Sequence, residues 1–199
     1  MAGMSAVGII GIAASVSLLA GWRLYLCIFA VGLGMRMGWV AMPEQLRSLD
    51  ALANGWVIGI AGVGAVAEFF ADKIAWLDSA WDAVHTLVRP VGGALLALAL
   101  IDAGDPTWQV VTLLLGGGAT LLTHGAKAGT RALVNISPEP ISNVVVSSGE
   151  DLVTGGALVA TLASPIAAVV IAVALVDAAT ATLLFLRRLL RRRRAQLDA

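Results

Sequence analysis

The sequence is poor in cysteine, tyrosine and charge. A single cysteine, Cys27, in 199 residues excludes an internal disulfide and any cysteine-built metal cluster, and its apolar neighbours assign it to packing. Charged residues make up 13% of the chain, about half the share near 25% usual in soluble domains. No charge precedes Arg23, none falls within residues 106–123 or 152–176, and residues 166–186 carry only Asp177. These runs reach the roughly 18–20 residues that a helix needs to cross hydrocarbon. Together with 59% hydrophobic residues and a mean hydropathy of +0.89, the missing charge argues against a soluble globular domain. The expected fold is all-α, a polytopic helical membrane protein. Met1 to Leu19 contains no Lys or Arg, so it lacks the basic start of a signal peptide and reads as a retained segment.

Catalytic signatures are missing too. There is no Gly-x-Ser-x-Gly, His-Glu-x-x-His or P-loop, patterns that carry acyl transfer, zinc hydrolysis and phosphate binding. Asp72, Asp78 and Asp82 do not form the paired aspartate boxes that magnesium-dependent lipid transfer uses. The chain therefore reads as neither an enzyme nor a cofactor binder.

The charge that is present is unevenly placed. Residues 187–199 hold six arginines and one aspartate, while residues 1–186 hold seven Lys/Arg against twelve Asp/Glu. The run Arg187-Arg188-Leu189-Leu190-Arg191-Arg192-Arg193-Arg194 follows the last apolar segment directly. The positive-inside rule makes it a cytoplasmic tail beside a single transmembrane domain over 1–186, in a bacterial inner membrane, where it can touch anionic lipid. No aromatic residue interleaves these arginines, which argues against nucleic acid as a partner.

Apolar helix-forming segments are expected at about 5–20, 24–40, 52–76, 90–103, 107–124 and 150–186, the last broken near Pro165. Residues 41–50 read as a polar loop and Gly104-Asp105-Pro106 as a tight turn. The prolines of 135–143 argue against regular helix there. Several segments are too short for a crossing, which suits broken or re-entrant helices. Gly62-x-Gly64-Ala65 with Lys73 recurs as Gly116-x-Gly118-Ala119 with Lys127, at an offset of 54. Gly92-Gly93-Ala94-Leu95 recurs as Gly155-Gly156-Ala157-Leu158, at an offset of 63. This pattern predicts two pseudo-symmetric repeats, about 56–104 and 107–165, parallel or inverted.

Ionisable groups at membrane depth are costly and tend to be used. Two stretches concentrate them: Glu68, Asp72, Lys73, Asp78, Asp82, His85 and Arg89, then His124, Lys127, Arg131, Glu139, Glu150 and Asp151. Glu68 and Asp72 share a helical face, as do Asp78 and Asp82, and Lys127 and Arg131. An acidic-led stretch can thus pair with a basic-led one. Ser142-Asn143 and Ser147-Ser148, beside the prolines, are candidates to line an opened backbone and coordinate a solute through hydroxyl and amide oxygens. Arg23 is an interfacial anchor or a charge at a helix break. Asp177 reads as a polar helix–helix contact or a proton site. The six tryptophans fall mostly beside polar segments, as an aromatic belt would.

Three functions are open on these residues. The first is a small transporter or channel that moves an ion or small charged solute at the repeat interface. The second is a binder or flippase for an anionic lipid, with Lys127, Arg131, His124 and Arg89 on the phosphate. The third is a structural protein whose salt bridges only dock its halves. Partners are the bilayer and, since glycine faces permit close packing, further copies of the chain.

The runs Glu68-Phe69-Phe70-Ala71-Asp72-Lys73-Ile74, Leu77-Asp78-Ser79-Ala80-Trp81-Asp82-Ala83-Val84-His85-Thr86 and Arg89-Pro90-Val91-Gly92-Gly93-Ala94 resemble a membrane-protein family of unknown function, domain of unknown function 4126. Lys127-Ala128-Gly129-Thr130-Arg131, Asn135 to Asn143 and Glu150-Asp151 fit it as well. The resemblance covers nearly the whole chain and implies a compact multi-helix membrane fold without an established activity.

Overall fold

The computed structural model describes residues 5–39, 50–101, 105–135 and 140–197, and its described residues are helical with no strand. The helices are α1 (Ala6–Ala20), α2 (Leu24–Arg36), the single turn α3 (Asp50–Ala53), α4 (Gly55–Ala71), α5 (Ala75–Leu100), α6 (Pro106–Val134), α7 (Pro140–Ala163) and α8 (Pro165–Leu197). Side chains cap several starts. Ser5 accepts from the N–H of Gly8, Asn54 from that of Trp56 and Asp105 from that of Thr107, satisfying donors that a first turn leaves free. The Thr107 N–H also holds the exposed Asp105 carboxyl below its usual range. Pro106 and Pro165 open their helices, where a missing N–H costs nothing.

Side-chain contacts give the helix directions. The Cα of Gly8 lies against Pro165 and that of Gly11 against Val169, so α1 runs parallel to α8. The hydroxyls of Thr120 and Thr123 donate to the carbonyls of Ser17 and Leu18, so α1 also runs parallel to α6. Tyr25 lies on Gly64, Phe29 on Gly62 and Leu52 on Gly32, so α2 runs back against α4. With 15 and 13 residues, α1 and α2 are about 22 and 20 Å long. Each is shorter than the roughly 30 Å of a hydrocarbon core, and they turn at Gly21-Trp22-Arg23 inside the bundle. A second turn, Asp72-Lys73-Ile74, joins α4 to α5 beside the first. The bundle therefore holds two helix breaks at one level in its interior.

The apolar core gathers Ile12, Val16, Leu18, Leu19, Leu24, Cys27, Val31, Leu96, Leu100 and Leu158. Large apolar side chains also cover the outside: Ile60, Leu87, Leu114, Val159 and Ile166 are all exposed. Charged residues 68, 72, 78, 82, 89, 127 and 131 are all buried. An apolar exterior over a charged interior inverts the soluble pattern. Two helices, α5 and α8, are long and apolar enough to cross a membrane, consistent with a membrane protein. Trp39, Trp56 and Trp108 are exposed toward the end where α4 and α6 begin and Trp76 toward the other, while Trp22 and Trp81 are partly buried.

Several boundaries differ from expectation. The apolar segment expected from residue 90 is not separate from the charged residues before it, because α5 runs through Pro90 as one helix. The proline gives up one bond to the Thr86 carbonyl, and the charges before it find partners on neighbouring helices. For the same reason α6 extends ten residues beyond 124 and α7 begins at Pro140, so Ile141, Ser142 and Asn143 are helical. The break near Pro165 is present. The loop at 41–49, Gly104 and residues 136–139, including Glu139, lie outside the described residues. The packing does not confirm the two-copy pattern. The chain breaks after Asp72 but continues unbroken through Lys127. Gly92 and Gly93 touch Leu24 and Thr120, whereas Gly155 and Gly156 face open space.

Candidate functional site

The site forms where the two breaks meet α5, α6 and α7. A helix end leaves carbonyls without partners and carries a partial negative charge. Here cations occupy those ends. Arg89 Nη1 donates to Gly21 O and Lys127 Nζ to Trp22 O, at the end of α1. Arg131 Nη2 and Asn143 Nδ2 donate to Asp72 O, at the end of α4. Broken helices thus supply backbone acceptors to side chains of unbroken ones.

Around this frame ion pairs run unbroken through Arg89, Lys127, Arg23 and Lys73, and the Arg131–Asp78 pair joins them through the Asp72 carbonyl. Glu68 Oε1 pairs with Arg89 Nη2 at 2.9 Å, and Arg89 Nη1 with Asp82 Oδ1 at 2.9 Å. Lys127 Nζ lies 4.0 Å from Asp82 Oδ1 and 2.5 Å from Asp72 Oδ2. That oxygen also takes Arg23 Nη1 at 2.5 Å, and Arg23 Nη2 reaches Asp151 at 2.7 Å and Glu150 at 3.9 Å. Lys73 bonds Asp151 at 2.9 Å and Ser147 Oγ at 3.1 Å. Arg131 Nε pairs with Asp78 Oδ2 at 3.1 Å. Breaking one buried partner leaves the other uncompensated, at about 3–5 kcal/mol.

The histidines are held in defined tautomers. Arg89 can only donate, so His124 Nδ1, 2.6 Å away, accepts, and the proton sits on Nε2 facing Thr86 Oγ1 at 3.0 Å. Thr86 in turn donates to Asp82 O. His85 Nδ1 donates to Trp81 O at 2.8 Å, which leaves Nε2 to accept from the Tyr25 hydroxyl at 3.1 Å. The His85 ring stacks on Trp81 with centroids 4.3 Å apart.

The network contains six carboxylates (Glu68, Asp72, Asp78, Asp82, Glu150 and Asp151) and five cations (Arg23, Lys73, Arg89, Lys127 and Arg131). Four buried carboxylate oxygens, Glu68 Oε2, Asp72 Oδ1, Asp78 Oδ1 and Glu150 Oε2, have no hydrogen-bond partner among the described residues. No group of three or more His, Cys, Asp or Glu side chains suited to a metal ion occurs there. A cleft of about 210 Å³ opens between α5 and α6 onto Asp78, Asp82, Arg131 and Asn135.

The chain matches a family model over residues 10–184. The chain belongs to the family named Domain of unknown function (DUF4126). No curated protein and no solved structure matches it. In this DUF4126 chain the predicted residues 68, 72, 73, 78, 82, 89, 124, 127, 131, 150 and 151 converge on one cluster. His85 lies at its edge, on Tyr25 and Trp81. Asn143 joins it through the Asp72 carbonyl, as a helical residue and not through an opened backbone. Ser142 is half-buried on α7. Asp177 is exposed on α8. Arg23, left out of the predicted site, is central to it. Its signal was a charge directly after Gly21-Trp22 between two apolar runs. Ser147, expected beside the proline loop, joins through Lys73, and Thr86 and Asn135 also join, with partners only the fold reveals.

Proposed function

We propose that this DUF4126 protein is a small transporter or channel of the cytoplasmic membrane, moving an ion or small charged solute through the network where its two helix breaks meet. One observation carries this reading: interrupted helices end inside the bundle on a buried, titratable cluster, the arrangement transporters use to bind charged cargo near mid-membrane. Irregular backbone at that depth persists where it lines a site. The arginine-rich end of α8 is placed on the cytoplasmic side by the positive-inside rule, which puts the start of α5 and the end of α6 on that side too.

The test is flux in proteoliposomes, with protons, alkali cations and small charged solutes as cargo. Flux that depends on Glu68 and Lys127 is expected. Absence of flux, with Glu68→Gln and Lys127→Met altering stability alone, would sink the idea. That outcome is what the structural reading requires, and a specific observation favours it: each of the five cations already has a carboxylate from another helix or another turn. The lipid-phosphate reading is less supported, since Lys127, Arg131 and Arg89 are bound by carboxylates and carbonyls and Arg89 occupies His124.

A further inference from the structure

Five of the six carboxylates in the network, Glu68, Asp72, Asp78, Asp82 and Asp151, accept a hydrogen bond from a guanidinium, an ammonium or an amide. Among the described residues Glu150 accepts none, and its Oε2 is buried. That oxygen lies 3.9 Å from Arg23 Nη2, beyond hydrogen-bond reach, whereas Asp151, the next residue, takes the same nitrogen at 2.7 Å. One turn further along α7, on the same helical face, Thr154 is fully buried and its hydroxyl has no partner either. The charges that face Glu150 are Arg23 at the first break, Lys127 and Arg131 on α6, and Asp72 at the end of α4. Each of the three cations is engaged elsewhere. Asp72 and the Trp22 carbonyl hold Lys127, and Asp78 with the Asp72 and Asn143 carbonyls holds Arg131. Arg23 rests on Asp72, Asp151 and the Ser147 carbonyl. Lys73, beside Asp151, is bonded to it and to Ser147.

A buried carboxylate without a hydrogen bond carries the desolvation cost of an ion with nothing to offset it, and such a group takes up a proton instead. The protonated acid gains an O–H donor, and the Thr154 hydroxyl is an unused acceptor on the same face. Glu150 is also reachable. Its side chain is 14% exposed, with Asp151 at 21% and Lys73 at 18%, whereas Glu68, Asp72 and Asp78 are closed off at 0%. We infer that Glu150 is the proton-binding group of the network, neutral while Arg23 rests on Asp151 and ionised when Arg23 turns to it. On release the Glu150 O–H bond breaks, the proton passes to water at this accessible edge, and the new carboxylate competes with Asp151 for Arg23 Nη2. Arg23 sits at the first helix break and holds Asp72 at the second, so its movement reaches both. The role, with a proton as cargo or coupling ion, rests on the transport reading, but the protonated state does not.

The test is infrared difference spectroscopy of the full chain in nanodiscs across a pH series, read with the thermal midpoint and with proton flux in proteoliposomes. The carbonyl band of a protonated carboxyl should be present at neutral pH, move on exchange into heavy water and fade as pH rises. Glu150→Gln should remove it, Glu150→Asp should keep it at a displaced position, and Glu68→Gln and Asp78→Asn should leave it in place. Glu150→Gln should also keep the midpoint, because a neutral amide replaces a neutral acid. Asp151→Asn should lower it by several degrees, because Arg23 and Lys73 each lose a carboxylate. Proton flux should be lost in Glu150→Gln, and flux that persists there overturns the role. No such band in the folded protein, a band that survives Glu150→Gln, or a Glu150→Gln midpoint as low as that of Asp151→Asn overturns the inference itself. A Glu150 band without flux of any cargo would sink the transport reading and keep the proton site. Flux without that band would do the reverse.

Discussion

The bundle has an apolar half, around Ser15, Gly93 and Pro165, and a charged half, around Asp72 and Arg89, and the two cohere differently. In the apolar half, backbones approach over small residues: Gly8 meets Pro165, Gly93 meets Thr120, and Ser15 and Thr161 share a hydrogen bond of 2.7 Å. Lipid tails are as apolar as leucine, so close packing and hydroxyl bonds supply what hydrophobicity cannot. In the charged half, long side chains cross between helices and the ends of α1 and α4 act as ligands for cations. Contacts in the first half are small and many, so single losses are modest. Contacts in the second are few and shared, so single losses propagate.

The largest effect should come from Asp72. Its Oδ2 holds both Arg23 and Lys127, so Asp72→Ala takes from Arg23 one of its carboxylates and leaves Lys127 only Asp82 at 4.0 Å, and should cost at least about 3–5 kcal/mol, read from unfolding in mild detergent. Exchanging Asp72 and Lys127 should not restore stability, because lysine at position 72 would face Arg23. A restored exchange would show that the halves are held by one pair and not by a network.

Next is Gly21, at the first break. A Cβ there would meet the Thr120 carbonyl and, at 2.8 Å, the backbone nitrogen of His124. Neither is a flexible side-chain end, so Gly21→Ala should cost about 1–3 kcal/mol. Arg89→Lys should follow. It retains a charge but cannot fork between Glu68 and Asp82, for a loss of about 1.5–3 kcal/mol, the worth of a hydrogen bond to a charged group. In the apolar half, Ser15→Ala should cost only about 0.6 kcal/mol, the mean for hydroxyl bonds between membrane helices. A loss as large as that of Arg89→Lys would erase the contrast. The smallest change is at Gly118, where an added Cβ meets nothing within 4 Å, so Gly118→Ala should stay within about 0.5 kcal/mol.

Where an apolar run was bounded by glycine or proline, the fold was readable. The end of α1 at Ala20, the turn at Gly21 and the break before Pro165 all follow from composition. Residues 75–89 were not readable, because hydropathy separates a charged half-helix from its apolar half although both belong to α5. Nothing local shows that Asp78 meets Arg131, whereas Asp82 and Arg89 share a helical face at spacings of three and four through His85 and do pair. The candidate site was legible as a list of charged residues, and most of them converge. Arg23 was missed as a member because a lone arginine between apolar runs looks the same whether it anchors at an interface or turns inward.

By itself the sequence determined that this chain is helical, that its charges are too few for an ordinary soluble surface, and that they concentrate in two stretches. Those are matters of composition and local periodicity. The tertiary structure alone decided which charges meet, which helices stop inside the bundle, and that six carboxylates share five cations. Pairing across 49 or 55 positions, as in Arg23 to Asp72 and Lys127 to Asp72, depends on how helices dock, and docking is set by contacts that no local stretch contains.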